Sequence, residues 1–170
     1  MSNVIIGIVG VILFIGLAIA GASFLGPRFV ESTAKSKASA VMQANATIAG
    51  AVQVRDRELQ VSTPSDAVLE DILHPNYIGE MPRNPAGGAA PILVDASGAQ
   101  SGPASFVIME VAGTNADEIC NAISRQGGGP AVAPRLTSAD IGRPVGCFRI
   151  TNDVSGQIRS GDFIAYATIY

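Results

Sequence analysis

The stretch Val4–Leu25, VIIGIVGVILFIGLAIAGASFL, decides how the rest of the chain is read. It runs for 22 residues without a charge, Ser23 is its only polar member, and 14 of the 22 are Val, Ile, Leu or Phe. As a helix it would span roughly 33 Å, the thickness of a bilayer's hydrocarbon. Burying so many large apolar side chains is worth on the order of 20–40 kcal/mol. Such a segment belongs in lipid or inside protein. Around it lies a chain of 170 residues, 48% hydrophobic, 15% charged, with mean hydropathy +0.35 and net charge −3. That length holds one domain rather than two. The nine Arg and two Lys are dispersed, so no basic stripe for a phosphate backbone is present and no nucleic-acid partner is expected. One His (His74) and two Cys (Cys120, Cys147) exclude most His/Cys metal sites, which take three or four such ligands.

Three placements of the apolar segment compete. A cleavable export signal wants a basic start and a shorter apolar core; Met1-Ser2-Asn3 is uncharged, although Ala20-Gly21-Ala22 has the look of a cleavage site. An ordinary membrane anchor meets a charge conflict: Arg28, Lys35 and Lys37 follow the segment and nothing basic precedes it. The positive-inside rule then puts the remainder in the cytoplasm, whereas the cysteines argue for the opposite side. The conflict disappears if a short basic leader once preceded Met1, making Met1 the first mature residue.

Small residues refine the choice. Gly7, Gly10, Gly16, Ala18, Ala20, Gly21 and Ala22 thin the helix surface, and Gly16/Ala20 and Ala18/Ala22 are small-xxx-small pairs that let helices approach closely. Glycine is also simply common in transmembrane helices. Gly26-Pro27 predicts a kink or local unwinding. Residues 28–60 then contain no Pro and one Gly, with Val30, Ala34, Val41, Ala44, Ile48, Val52 and Leu59 mostly three, four or seven apart. Ser36, Lys37, Gln43, Asn45 and Gln53 fall between them, so an amphipathic helix with a narrow, Ala-rich stripe is expected. The domain reading is residues 1–27 as an apolar filament-core or transmembrane helix, 28–60 as the amphipathic half of the same long helix, and 61–170 as an α+β head.

In the head, Thr63-Pro64-Ser65-Asp66 predicts a capping box opening a helix to about Leu73. Ile92-Leu93-Val94 and Ser105–Val111 predict strands, the latter suited to a sheet covered on one side by the long helix. Asn115–Ser124 predicts a helix with Asn115 and Glu118 at capping-box spacing. Gly127-Gly128-Gly129-Pro130 starts a long loop, and Cys147–Thr151 and Phe163–Ile169 predict two closing strands. The fold class is therefore α+β: a long N-terminal helix packed on a small antiparallel-sheet head. Cys120 and Cys147, an even pair in a chain with an export-type segment, are expected to form a disulfide; two buried free thiols are the alternative.

The apolar N-terminus, the long helix running into a small α+β head and the late Cys pair together resemble a type IV pilin, nearest to the type IVb and conjugative thin-pilus pilins. Local similarity lies in the N-terminal helix, the Met81-Pro82 to Gly88 loop, the Phe106-Val107-Ile108 strand leading to Glu118-Ile119-Cys120, and the Gly146-Cys147 return. The resemblance implies a subunit that polymerises with itself into an extracellular pilus, held in the inner membrane with a periplasmic head beforehand. It further implies a prepilin peptidase that leaves Met1 as the processed terminus, and pilus assembly machinery as partner. One departure stands out: most type IV pilins carry Glu at the fifth mature position, where this chain has Ile5 and no acidic residue before Glu31. The Met1 amine must then find carbonyls, the Ser2 or Asn3 side chains, or solvent. The expectation is a major pilin, with a minor pilin or pseudopilin, or a signal-anchored periplasmic binding or scaffold protein, as alternatives.

Sharper chemistry finds little support. His74, before Pro75 at a helix end, reads as a solvated or dipole-facing His. Asp66, Glu70 and Asp71 read as a solvated helix face, and the Gly127–Gly129 run lacks the Lys-Ser/Thr of a P-loop. Asn45-Ala46-Thr47 matches a glycosylation sequon by pattern alone. No catalytic residue, cofactor or metal is expected, and the chain is not expected to be an enzyme.

Overall fold

The structure, a computed structural model, describes residues 2–96, 102–136, 142–154 and 158–169. The chain divides into two compact units, Met1–Thr33 and Ala34–Tyr170. Helix α1 (Ser2–Leu59) supplies all of the described part of the first and the opening of the second. Across Gly26 and Pro27 the backbone stays helical, so the sequence expectation of local unwinding there has no counterpart in the helical assignment.

In the second unit, α1 buries Ala34, Ala38, Val41, Ala44, Ile48, Ala49, Ala51 and Val52. The part of α1 that enters the head's core runs from Ala34 to Val52, which is why Val30 and Leu59, placed on the stripe by spacing, are exposed. Asn45, placed on the polar side, is instead buried. Burial also removes the Asn45 sequon from the folded surface. At its C-terminal end the helix is tied to the segment around Thr63. The Asp56 carboxylate accepts from the Thr63 N–H at 3.0 Å and from the Thr63 hydroxyl, and Arg55 Nη1 donates to that hydroxyl at 2.8 Å.

That arrangement overturns the expected capping box. Thr63 spends its hydroxyl on Asp56, and Pro64 bridges Pro103, with Ser65 N–H bonded to Gly102 O and Ala104 N–H to Thr63 O. The segment is a bridge at Pro64 followed by a turn over Ser65 and Asp66, not a helix. Helix α2 (Leu69–Leu73) starts four residues after Ser65, from Val68 and without a side-chain cap, and leaves Asp66 outside it. His74 is its C-terminal cap residue and is exposed.

Strands β1 (Ile92–Val94), β2 (Phe106–Val111), β3 (Arg135–Leu136), β4 (Val145–Ile150) and β5 (Phe163–Thr168) form one sheet in the order β1-β2-β5-β4-β3. Its first four strands in that order pair antiparallel, and the two-residue β3 joins β4 parallel at the edge. The last strand to be made, β5, therefore sits in the centre. Helix α3 (Ala116–Gln126) follows β2; Asn115 precedes it but makes no capping hydrogen bond.

Strand alternation sorts side chains onto two faces. Leu93, Val107, Met109, Val111, Cys147, Ala165 and Ala167 share a core with the buried residues of α1, α2 and α3. On the opposite face, of which the sequence reading said nothing, Val94, Phe106, Ile108, Phe148, Ile150, Ile164 and Tyr166 form a second core, closed by Val154 and Ile158. Those two residues bond each other in both directions, at 2.9 and 3.1 Å. Tyr166 meets Phe106 edge-on at 6.3 Å and Phe148 at 5.7 Å, spacings favourable for aromatic pairs. The near-continuous apolar run of β2 is thus explained by burial on both sides.

The Met81–Gly88 loop is held against β2. Asn84 Nδ2 donates to Ala89 O at 2.8 Å and Glu110 O at 2.7 Å, while its Oδ1 accepts from Ala86 N–H at 2.9 Å. Ala89 N–H in turn donates to Glu110 Oε2 at 2.7 Å. Gly88 is required by this approach: a Cβ there would lie 2.5 Å from Glu110 O. Asn84→Ala removes three hydrogen bonds at once, and urea titration of the full chain is expected to show a loss of about 2–4 kcal/mol. A loss under about 0.5 kcal/mol would mean that the loop is not held there.

Candidate functional site

The most distinctive surface belongs to the first unit. From Ile5 to Ala22 mean hydropathy is 2.8 and none of the segment is buried. Phe14 is 74% exposed and Leu17 73%, with Ile5, Ile6, Ile12, Leu13 and Ile19 all above half. This helix is apolar all round and is long enough to cross a membrane.

Its glycines carry a second message. A Cβ built at Gly7, Gly10, Gly16 or Gly21 meets nothing within 4 Å, and all four sit in helix. Neither a positive φ nor a contact among the described residues demands glycine there. Each costs about 1 kcal/mol of helix propensity relative to Ala, and no contact among the described residues offsets that. At 3.6 residues per turn, Gly7, Gly10, Ala18, Gly21 and Ala22 fall within an arc of about 120°, with Phe14 in its middle. Gly16 and Ala20 lie on the other side. A projecting ring flanked by shallow positions is the shape by which one helix can seat another.

Of the other residues singled out by sequence, Cys120 on α3 and Cys147 on β4 are joined in a disulfide, with Cα atoms 5.3 Å apart and both residues buried. It staples the helix to the sheet. Met1 lies outside the described residues. Sequence reasoning missed Asn45, Asn84 and the Arg55–Asp56–Thr63 cluster. The recurrence of buried positions in steps of three and four through residue 45 could have flagged Asn45.

Two concavities of the head are lined as follows among the described residues. A groove of about 450 Å³ runs between Val68–Glu70 and the Met81–Asn84 loop, and a smaller cavity of about 220 Å³ is lined by Ser124, Arg143, Cys147 and Tyr166. Arg143 at its rim donates to Gly128 O, and the Ser124 hydroxyl to Pro130 O at 2.8 Å. Both polar groups are thus engaged structurally. At the start of α3, a hydrogen bond between the two carboxyls lowers the pKa of Asp117 and raises that of Glu118. Desolvation, then a hydrogen bond to Glu58, raises the Tyr77 phenol. Neither lines either cavity. Among the described residues no three His, Cys, Asp or Glu converge as a metal site.

The apolar helix suits membrane anchoring or secretion, and a buried disulfide suits an extracytoplasmic head. Compared with known protein families, curated proteins and solved structures, the chain matches none. An N-terminal apolar helix, a helical continuation packed on a mainly antiparallel sheet and a disulfide nevertheless make the architecture pilin-like.

Proposed function

We propose that this chain is the structural subunit, a major pilin, of a type IV-like pilus for attachment, mating-pair contact, or DNA or phage interaction. One observation carries the reading: a helix exposed and apolar on every side, bearing glycines that no contact among the described residues needs. In an assembly of copies, residues 1–25 bundle as the core and the disulfide-stapled heads form the outer surface. Before assembly the same segment rests in the inner membrane with the head in the periplasm. Moving it from lipid to filament exchanges one apolar surrounding for another, so the hydrophobic gain is small and close packing through the small residues decides the equilibrium. By its resemblance, a prepilin peptidase and assembly machinery supply the processed subunit and the work of extraction. The role is structural, not enzymatic. Electron microscopy of the purified full chain is expected to show thin fibres. Dispersed single particles in detergent would replace this reading with that of an anchored extracytoplasmic protein.

A further inference from the structure

Within the second unit, the buried seam of α1 contains a polar group with no hydrogen-bond partner among the described residues. Ala34, Ala38, Val41, Asn45, Ile48 and Val52 are all buried and follow one another in steps of 4, 3, 4, 3 and 4 residues, the repeat of an apolar helix seam. Asn45 stands near the middle, 1% exposed. Neither its Oδ1 nor its Nδ2 has a hydrogen-bond partner among the described residues. Removing an amide from water without replacing its hydrogen bonds disfavours the buried state.

The seam's own apolar area is carried by few side chains. Ala34, Ala38, Ala44, Ala49 and Ala51 bury little area each, leaving Val41, Ile48 and Val52 as the large side chains. The remainder of the head is held differently. Its second core contains no α1 residue, and α3 is fixed to β4 covalently. Removal of α1 from the sheet leaves both of those in place while baring Val107, Met109 and Val111 on the first face.

We infer that Ala34–Val52 is a strap that lifts from the sheet and recloses without unfolding β2, β5 and β4, and that Asn45 sets how often it opens. Opening hydrates the amide, so the side chain favours the open state. The inference holds whether or not the chain polymerises, because it concerns contacts within one unit of one subunit.

Hydrogen exchange of the full-length protein in detergent, read on peptic fragments, tests it. In the wild type, fragments covering residues 38–52 are expected to exchange at least tenfold faster than those covering β2 and β5. Asn45→Leu should slow the 38–52 fragments by roughly tenfold and leave the strands unchanged. Asn45→Ala, which leaves no overpacking, should slow them in the same sense. Thr47→Leu, at an exposed position on the same helix, reports helix propensity alone and should give only about twofold. Equal exchange of helix and strands in the wild type would overturn the inference. So would Asn45 variants that both gain no more than Thr47→Leu.

Discussion

Fibres are expected to vanish from preparations of a Gly16→Leu, Ala20→Leu double variant, while its head remains folded. Both positions are exposed in the single subunit, and a Cβ at Gly16 meets nothing within 4 Å. Inside one chain the added side chains are therefore harmless, and leucine improves helix propensity at position 16 by up to about 1 kcal/mol. Between copies the sign reverses. Each leucine must displace a neighbouring helix from a close-packed position, at about 1–3 kcal/mol per site. Two sites then weaken each subunit contact by about 2–6 kcal/mol, roughly 30-fold or more in association constant. Sedimented fibre yield measures the loss, and the head's thermal unfolding provides the control. A normal yield would mean that no helix approaches closely at residues 16–20.

The second large effect is predicted for the staple. Cys120→Ser should lower head stability by about 3–4 kcal/mol, the chain-entropy cost of releasing a loop of this size. The cysteines are 27 residues apart in sequence and both buried. For a domain of this size that loss corresponds to roughly 10–15 °C in Tm. The free thiol left at Cys147 sits in the shared core, so the double variant Cys120→Ala, Cys147→Ala separates loss of the bond from exposure of a thiol. Circular-dichroism melts under oxidising conditions distinguish the outcomes. Variants that melt with the wild type would show that the bond contributes nothing to stability.

Much of this fold could be read in advance because the signals were local. An uncharged run from Val4 to Leu25 permits few environments, and strands such as Ser105–Val111 declare themselves by β-branched and aromatic content. Cys120 and Cys147, an even pair in a chain with an export-type segment, pointed to the disulfide over two free thiols, and the bond is present. What escaped depended on tertiary partners. Thr63 has the sequence of a cap, but Asp56 and Arg55 lie within reach in space and take its hydroxyl. Asn45 looks polar and outward by composition, yet it falls on the buried seam because helix phase, not residue type, sets its direction. The second core is invisible in sequence because it depends on Val154 and Ile158 folding over the sheet. The two-residue strand β3 carries too little pattern to see at all. At the candidate site, sequence supplied the small residues; the structure added that no neighbour among the described residues requires the glycines.

Photo-crosslinking from position 17 tests the central idea most directly. Leu17 is 73% exposed in the single subunit, so a photoreactive phenylalanine analogue placed there reports whatever covers it. In fibres sheared from cells, irradiation is predicted to give a ladder of multimers, with the crosslinks mapping to residues 5–25 of another copy. A single labelled chain carrying only lipid or detergent adducts would contradict the account.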